Sequence, residues 1–126
     1  MAVPNIHPAR FVVLEHRWNG VHWDFMLEAG PSLRTWALSS FPERGMEVEA
    51  RALPNHRLDY LEYEGPVSGD RGEVRRVEAG RFEPVSWGPD RVVVRLRGDQ
   101  VTGVAELVRL GGDDRCGWRL RIGKFI

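Results

Sequence analysis

The chain has 126 residues, 42% of them hydrophobic and 29% charged, which suits one soluble domain with a real core and is too short for two. Eighteen basic and eighteen acidic side chains cancel, which excludes a protein that coats duplex nucleic acid by bulk positive charge. No apolar run approaches the roughly 18 residues of a membrane span, residues 1–10 lack an apolar signal core, and the single cysteine, Cys116, has no internal disulfide partner. The expectation is one domain over 1–126, with 1–10 a loose arm, in a cytoplasmic, monomeric protein without a membrane partner.

Short apolar alternations separated by turn residues run through the chain and predict strands. They cover 11–16, 21–28, 34–39, 46–52, 73–78, 81–87, 91–97, 101–110 and 117–122. Asn19-Gly20, Gly30-Pro31, Gly69-Asp70, Ala79-Gly80, Gly88-Pro89-Asp90, Gly98-Asp99 and Gly111-Gly112 are the breakers between them. Residues 54–63 read as the helical exception, with Asn55 as N-cap and Leu58 and Leu61 at helical spacing. So many short strands leave edges that closure removes, and the predicted fold is all-β: a small closed β-barrel with one or two short helical segments. Residues 91–126 carry eight basic and four acidic side chains, and Arg91, Arg95, Arg97, Arg119 and Arg121 recur at alternate positions. That is the pattern of a solvated strand face or of a modest phosphate-binding one.

The most informative strand is Val21-His22-Trp23-Asp24-Phe25-Met26-Leu27-Glu28. Alternate side chains share a face, so Val21, Trp23, Phe25 and Leu27 turn to a core while His22, Asp24, Met26 and Glu28 lie opposite. Imidazole nitrogen and carboxylate oxygen at i and i+2 can share one divalent ion, although most such pairs are surface polar residues. His16 joins them only under one register. A two-residue turn at Asn19-Gly20 would set His16 against Trp23, on the wrong side. A three-residue loop Trp18-Asn19-Gly20 with Gly20 left-handed makes facing residue numbers sum to 38 and puts His16 directly opposite His22. The bulged loop is predicted, with His16, His22 and Asp24 as metal ligands. Four positions apart on the predicted helical turn, His56 and Tyr60 could hold phosphate oxygens and protonate a leaving group. The plainer alternative is that His56 bonds its own loop and Tyr60 is core. An Fe(II) oxygenase site of His22, Asp24 and His56 is a further reading, but it leaves His16 without a role.

Phe11-Val12-Val13, His16, His22-Trp23-Asp24-Phe25 and Leu27-Glu28 together resemble the opening signature of the bacterial DNA ligase D 3′-phosphoesterase family. Leu33 to Leu38 with Trp36, His56-Arg57-Leu58-Asp59-Tyr60 with Tyr63-Glu64-Gly65, and Trp118 to Lys124 extend the likeness over nearly the whole chain, as a stand-alone form of that module. The resemblance implies a β-barrel with a Mn²⁺-dependent site, Zn²⁺ or another transition metal being the alternative. It implies removal of a 3′-terminal ribonucleoside and then a 3′-phosphate from a primer–template, with a separate DNA ligase or polymerase as partner. On this basis His16, His22 and Asp24 would hold the metal, His56 would contact the scissile phosphate and Tyr60 would support it. The chain departs from the family pattern at Met26, where arginine is usual, near Ser39-Ser40, where lysine is usual, and at Leu14, where glutamine is usual. Arg10 and Arg57 are the expected substitutes for the missing cation. Met26→Arg is the natural test: turnover rises if a clamp is missing and falls if Met26 has a packing role. The alternative function is a weakened or inactive DNA-end- or partner-binding module of the same fold.

Overall fold

A computed structural model of the protein describes residues 9–112 and 116–125. These described residues form nine strands: β1 (Ala9–Arg17), β2 (Val21–Ala29), β3 (Ser32–Leu38), β4 (Glu47–Arg57), β5 (Gly65–Pro66), β6 (Glu73–Trp87), β7 (Arg91–Gly98), β8 (Thr102–Arg109) and β9 (Gly117–Gly123). All pairings are antiparallel. Eight strands close in the order β1-β2-β3-β4-β9-β8-β7-β6, with β6 returning to β1, and the two-residue β5 adds to β6. The closed barrel is the predicted architecture. Of the expected loose arm, residues 1–8 lie outside the described residues, whereas Ala9 and Arg10 open β1.

The alternation seen in the sequence fills the barrel. Phe11, Val13, Phe25, Leu27, Trp36, Leu38, Val92, Val94, Leu107, Trp118, Leu120 and Ile122 all point inward and are buried, as an eight-stranded barrel requires of its interior side chains. Arg34 lies near one end of this core, its guanidinium over the rings of Trp36, Trp87 and Trp118 at 5.1, 5.2 and 5.8 Å while it donates to the Gly88 carbonyl.

Two expectations about elements are corrected. The Ala79-Gly80 breaker is no break: β6 runs unbroken through it from Glu73 to Trp87. Gly80 is there for closeness, because a Cβ on it would stand 2.1 Å from the Arg97 carbonyl oxygen. The predicted helix over 54–63 is also absent. Pro54, Asn55, His56 and Arg57 finish β4, and only Leu58–Leu61 makes one 3₁₀ turn. Asn55 is no N-cap; its side-chain amide donates to Ser32 Oγ.

The outer face of β1 and β2 carries a second apolar layer. Val12, Leu14, Met26 and Leu33 are buried there under Leu61, Val67 and Val74, with Tyr60 at the margin. The 3₁₀ turn and the loop after it are thus a lid on the outside of the barrel. Met26 is 1% exposed. Its role is packing, and together with Leu14 it makes one apolar patch from two of the departures noted above.

Glu78 is buried and holds the β7–β8 hairpin. One carboxylate oxygen accepts from the amides of Ala79 and Asp99 (2.9 and 3.0 Å), the other from those of Gln100 and Val101 (2.9 and 2.6 Å). Glu78→Gln replaces an acceptor oxygen with a donor and is expected to cost about 2 kcal/mol in chemical denaturation. An unchanged midpoint would show that the hairpin holds itself.

Candidate metal centre

The hairpin register decides the site. Phe11 faces Leu27 and His16 faces His22, so every facing pair sums to 38 as the three-residue loop demands. Asn19 and Gly20 both take positive φ, +54° and +108°, so the left-handed conformation extends one residue further than expected. On the outer face His16, His22 and Asp24 converge, each offering one ligand atom within 4.8 Å of the others.

The triangle fits a single ion. His16 Nδ1 lies 3.2 Å from His22 Nε2, His22 Nε2 lies 3.1 Å from Asp24 Oδ1, and His16 Nδ1 lies 3.5 Å from Asp24 Oδ2. Ligands about 2.1 Å from a shared ion stand about 3.0 Å apart in octahedral and about 3.4 Å apart in tetrahedral geometry. The donor set, two imidazoles and one carboxylate, suits Mn²⁺, Fe²⁺ or Zn²⁺. Asp24 is 3% exposed, and its Oδ1 has no hydrogen bond of good geometry despite the nearby imidazole. Buried polar atoms are rarely left so, and a cation shared with the two imidazoles would satisfy this one.

The surroundings orient the two imidazoles. His16 Nε2 is 2.8 Å from the Arg71 carbonyl oxygen, which can only accept. Nε2 therefore carries a proton, and Nδ1 faces His22 and Asp24. Contact with the Asp24 carboxylate raises the pKa of His22 above its ordinary value, against the opposing effect of burial, with the carboxylate's charge adding to the rise.

A trough of about 800 Å³ opens over β2, β3 and β4 beside the triad. Ala37 and Leu53 are in its lining, as are His16, His22, Asp24, Trp18, Ser39, Arg51, His56 and Arg71. His56 reaches it by a backbone device. Thr35 faces Leu53 but Leu33 faces His56, so β4 carries one extra residue at Pro54-Asn55. That bulge shifts the alternation and swings His56 onto the outer face shared by the triad. Its Nδ1 is 2.8 Å from the Pro54 carbonyl oxygen, and its ring meets Tyr60 edge-on at 5.7 Å. Tyr60 stands behind His56 rather than in the trough.

The two expected substitute cations lie elsewhere. Arg57 follows the same bulge to the opposite side, paired with Ser32, and does not line the trough. Arg10 shares the outer face of β1 with His16 but stands six residues away, about 20 Å along the strand. Its guanidinium is 3.5 Å from Glu62. Among the described residues, Arg51 and Arg71 are the arginines that line the trough. Arg51 was legible as an outward position of β4; Arg71 sits in a loop whose path no periodicity reports. The alternating arginines of the C-terminal third do not line the trough: Arg91 on β7 is 2.8 Å from Glu106, and on β9, the neighbour of β4, Arg119 and Arg121 approach Glu47 at 3.9 and 3.5 Å. They form a solvated face.

The family described as DNA Ligase D 3'-phosphoesterase domain matches residues 14–109. The Multifunctional non-homologous end joining DNA repair protein LigD of Mycobacterium tuberculosis (strain ATCC 25618 / H37Rv) is 29% identical over 120 residues, covering 88% of this chain and 16% of the relative. The Multifunctional non-homologous end joining protein LigD of Mycobacterium bovis (strain ATCC BAA-935 / AF2122/97) gives the same identity and coverage. The chain spans about one-sixth of the length of these relatives.

Proposed function

The chain belongs to the DNA ligase D 3′-phosphoesterase domain family, and from the site it carries we propose that it is a metal-dependent 3′-phosphoesterase healing DNA 3′ ends to 3′-OH in repair. The observation that carries this reading is the His16–His22–Asp24 triangle with its orphaned carboxylate oxygen, opening on the same trough as His56. Mn²⁺ is the proposed ion, and a separate ligase or polymerase the proposed user of the product.

A divalent ion held by the triad would supply Lewis acidity toward a phosphoryl oxygen and activate water. The protein's own residues do the rest. His16 and His22 are fixed before substrate arrives, one by the Arg71 carbonyl and the other by Asp24. His56, with Nδ1 engaged by Pro54, presents Nε2 to the trough, where in its protonated form it stabilises the phosphoryl oxygens and gives its proton to the departing 3′ oxygen. Tyr60 keeps that ring in place. Arg51 and Arg71, rather than Arg10 or Arg57, are the proposed contacts for backbone phosphates.

The second reading, a DNA-end-binding module without turnover, draws on the packed Met26, which removes one cation from the face. A labelled primer–template ending in a 3′-phosphate, and another ending in a single 3′-ribonucleotide, separate the two. Conversion to 3′-OH with Mn²⁺ and none with EDTA is expected, with His22→Ala reducing the rate at least a hundredfold while the β-type circular dichroism persists. Metal-dependent binding with no conversion would transfer the protein to the second reading, and full activity in His22→Ala would remove the triad from the chemistry.

A further inference from the structure

Trp18 is a large apolar side chain at the tip of the β1–β2 hairpin, 44% exposed, and it belongs to neither hydrophobic cluster. Its ring lies over His16, with centroids 6.1 Å apart and planes 20° from parallel. It lines the same trough as His22, Asp24, His56 and Arg71. The other exposed tryptophan, Trp87, is stacked on Phe82 of the core at 6.2 Å with the Arg34 guanidinium over it at 5.2 Å, whereas Trp18 is stacked on a residue of the trough.

The backbone holds Trp18 in place. Its amide donates to the Gly20 carbonyl across a loop in which Asn19 and Gly20 are left-handed. Gly72 comes so close from the other side that a Cβ there would stand 2.9 Å from the Trp18 Cβ and 1.8 Å from the Arg17 carbonyl oxygen. Such a buttress keeps an exposed ring ready for a ligand with a flat face.

We propose that Trp18 is a nucleobase platform, on which the base of the 3′-terminal nucleotide stacks while its phosphate lies at the triad. This rests on the function proposed above and names the part of the substrate that gives the end its grip. His16 is at once part of the triad and the ring that Trp18 stacks on, so a phosphate at the triad and a base on Trp18 are neighbours in one trough. Stacking on an indole accepts any base, since each has a π-face. The platform therefore selects for a base-bearing terminus and tolerates its identity.

The test measures binding of a fluorescent primer–template by anisotropy with Mn²⁺ present. The 3′ end is a phosphonate whose P–C bond resists hydrolysis, and the terminal nucleotide is either intact or abasic. Wild type is expected to bind the abasic end about tenfold more weakly, inside the span that single base–aromatic stacks produce. Trp18→Ala should bind the intact end about tenfold more weakly and lose the distinction between the two, Trp18→Phe should keep most of it, and Mn²⁺ affinity by calorimetry should be the same in all three. Undiminished base dependence in Trp18→Ala overturns the platform. So does an equal loss for both ends, or a parallel fall in Mn²⁺ affinity, which would mean that Trp18 acts by supporting His16. Wild type binding the phosphonate end no better than a 3′-OH end would instead strike at the phosphoesterase reading, and no binding at all would overturn both.

Discussion

Met26→Arg is expected to lower the melting temperature by roughly 10 °C or more and to bring no gain in turnover. Family resemblance alone makes the substitution look restorative. The structure makes it disruptive, because Met26 is 1% exposed among Val12, Leu14, Leu33, Leu61, Val67 and Val74. A guanidinium at this position must either stay desolvated or push the Leu61 and Val67 cover away. Either outcome costs about 3 kcal/mol or more, and each kcal/mol is worth about 4 °C for a chain of this size. Met26→Leu conserves volume and should cost under about 1.5 kcal/mol, which separates the charge effect from mere sensitivity to change. Thermal denaturation of both variants beside the end-healing assay decides the matter. A Met26→Arg protein with an unchanged melting temperature and faster turnover would show that the arginine reaches the trough and that the apolar lid is dispensable.

The lid explains where sequence reasoning reached its limit. The barrel, its strands and the His16–His22 pairing were legible because they follow from period-two alternation and from the arithmetic of one hairpin. The outer layer was not. Met26 and Leu14 lie on the face that alternation assigns to solvent and ligands, and nothing local announces that a distant segment at Leu61 to Val74 folds over them. His56 lines the trough by a different route from the one expected: helical spacing suggested its pairing with Tyr60, whereas a bulge at Pro54-Asn55 aims the ring. Proline was the available signal, since it removes a ladder donor inside a strand and is tolerated at bulges. The same bulge turns Arg57 away, so sequence adjacency to His56 misleads. Gly80 failed as a breaker for a related reason: its value lies in what passes against it, and that is a property of the closed barrel.

Asp24→Ala is expected to weaken metal binding at least about a hundredfold while leaving the metal-free protein no less stable at alkaline pH. A carboxylate that is 3% exposed with an oxygen lacking a proper hydrogen bond is a burden on the apo fold. Its compensation is His22. Because the folded-state pKa of His22 is raised above about 6.5, its protonated form contributes stability that is fully present below that value and is lost as pH rises through the raised one. In EDTA, the advantage of wild type over Asp24→Ala in melting temperature should therefore be largest near pH 5.5 and shrink or reverse by pH 8.5. Metal reverses the trend, since an ion must displace the His22 proton and so binds more tightly as pH rises. Mn²⁺ at a hundred times its dissociation constant should add about 2.7 kcal/mol to wild type and nothing to the variant. A variant that melts well below wild type at pH 8.5 in EDTA would mean that Asp24 holds the fold. One that Mn²⁺ still stabilises would mean that the ion binds elsewhere. The expected pattern instead assigns Asp24 to the ion, with the apo barrel carrying the cost of keeping that carboxylate buried until a cation arrives.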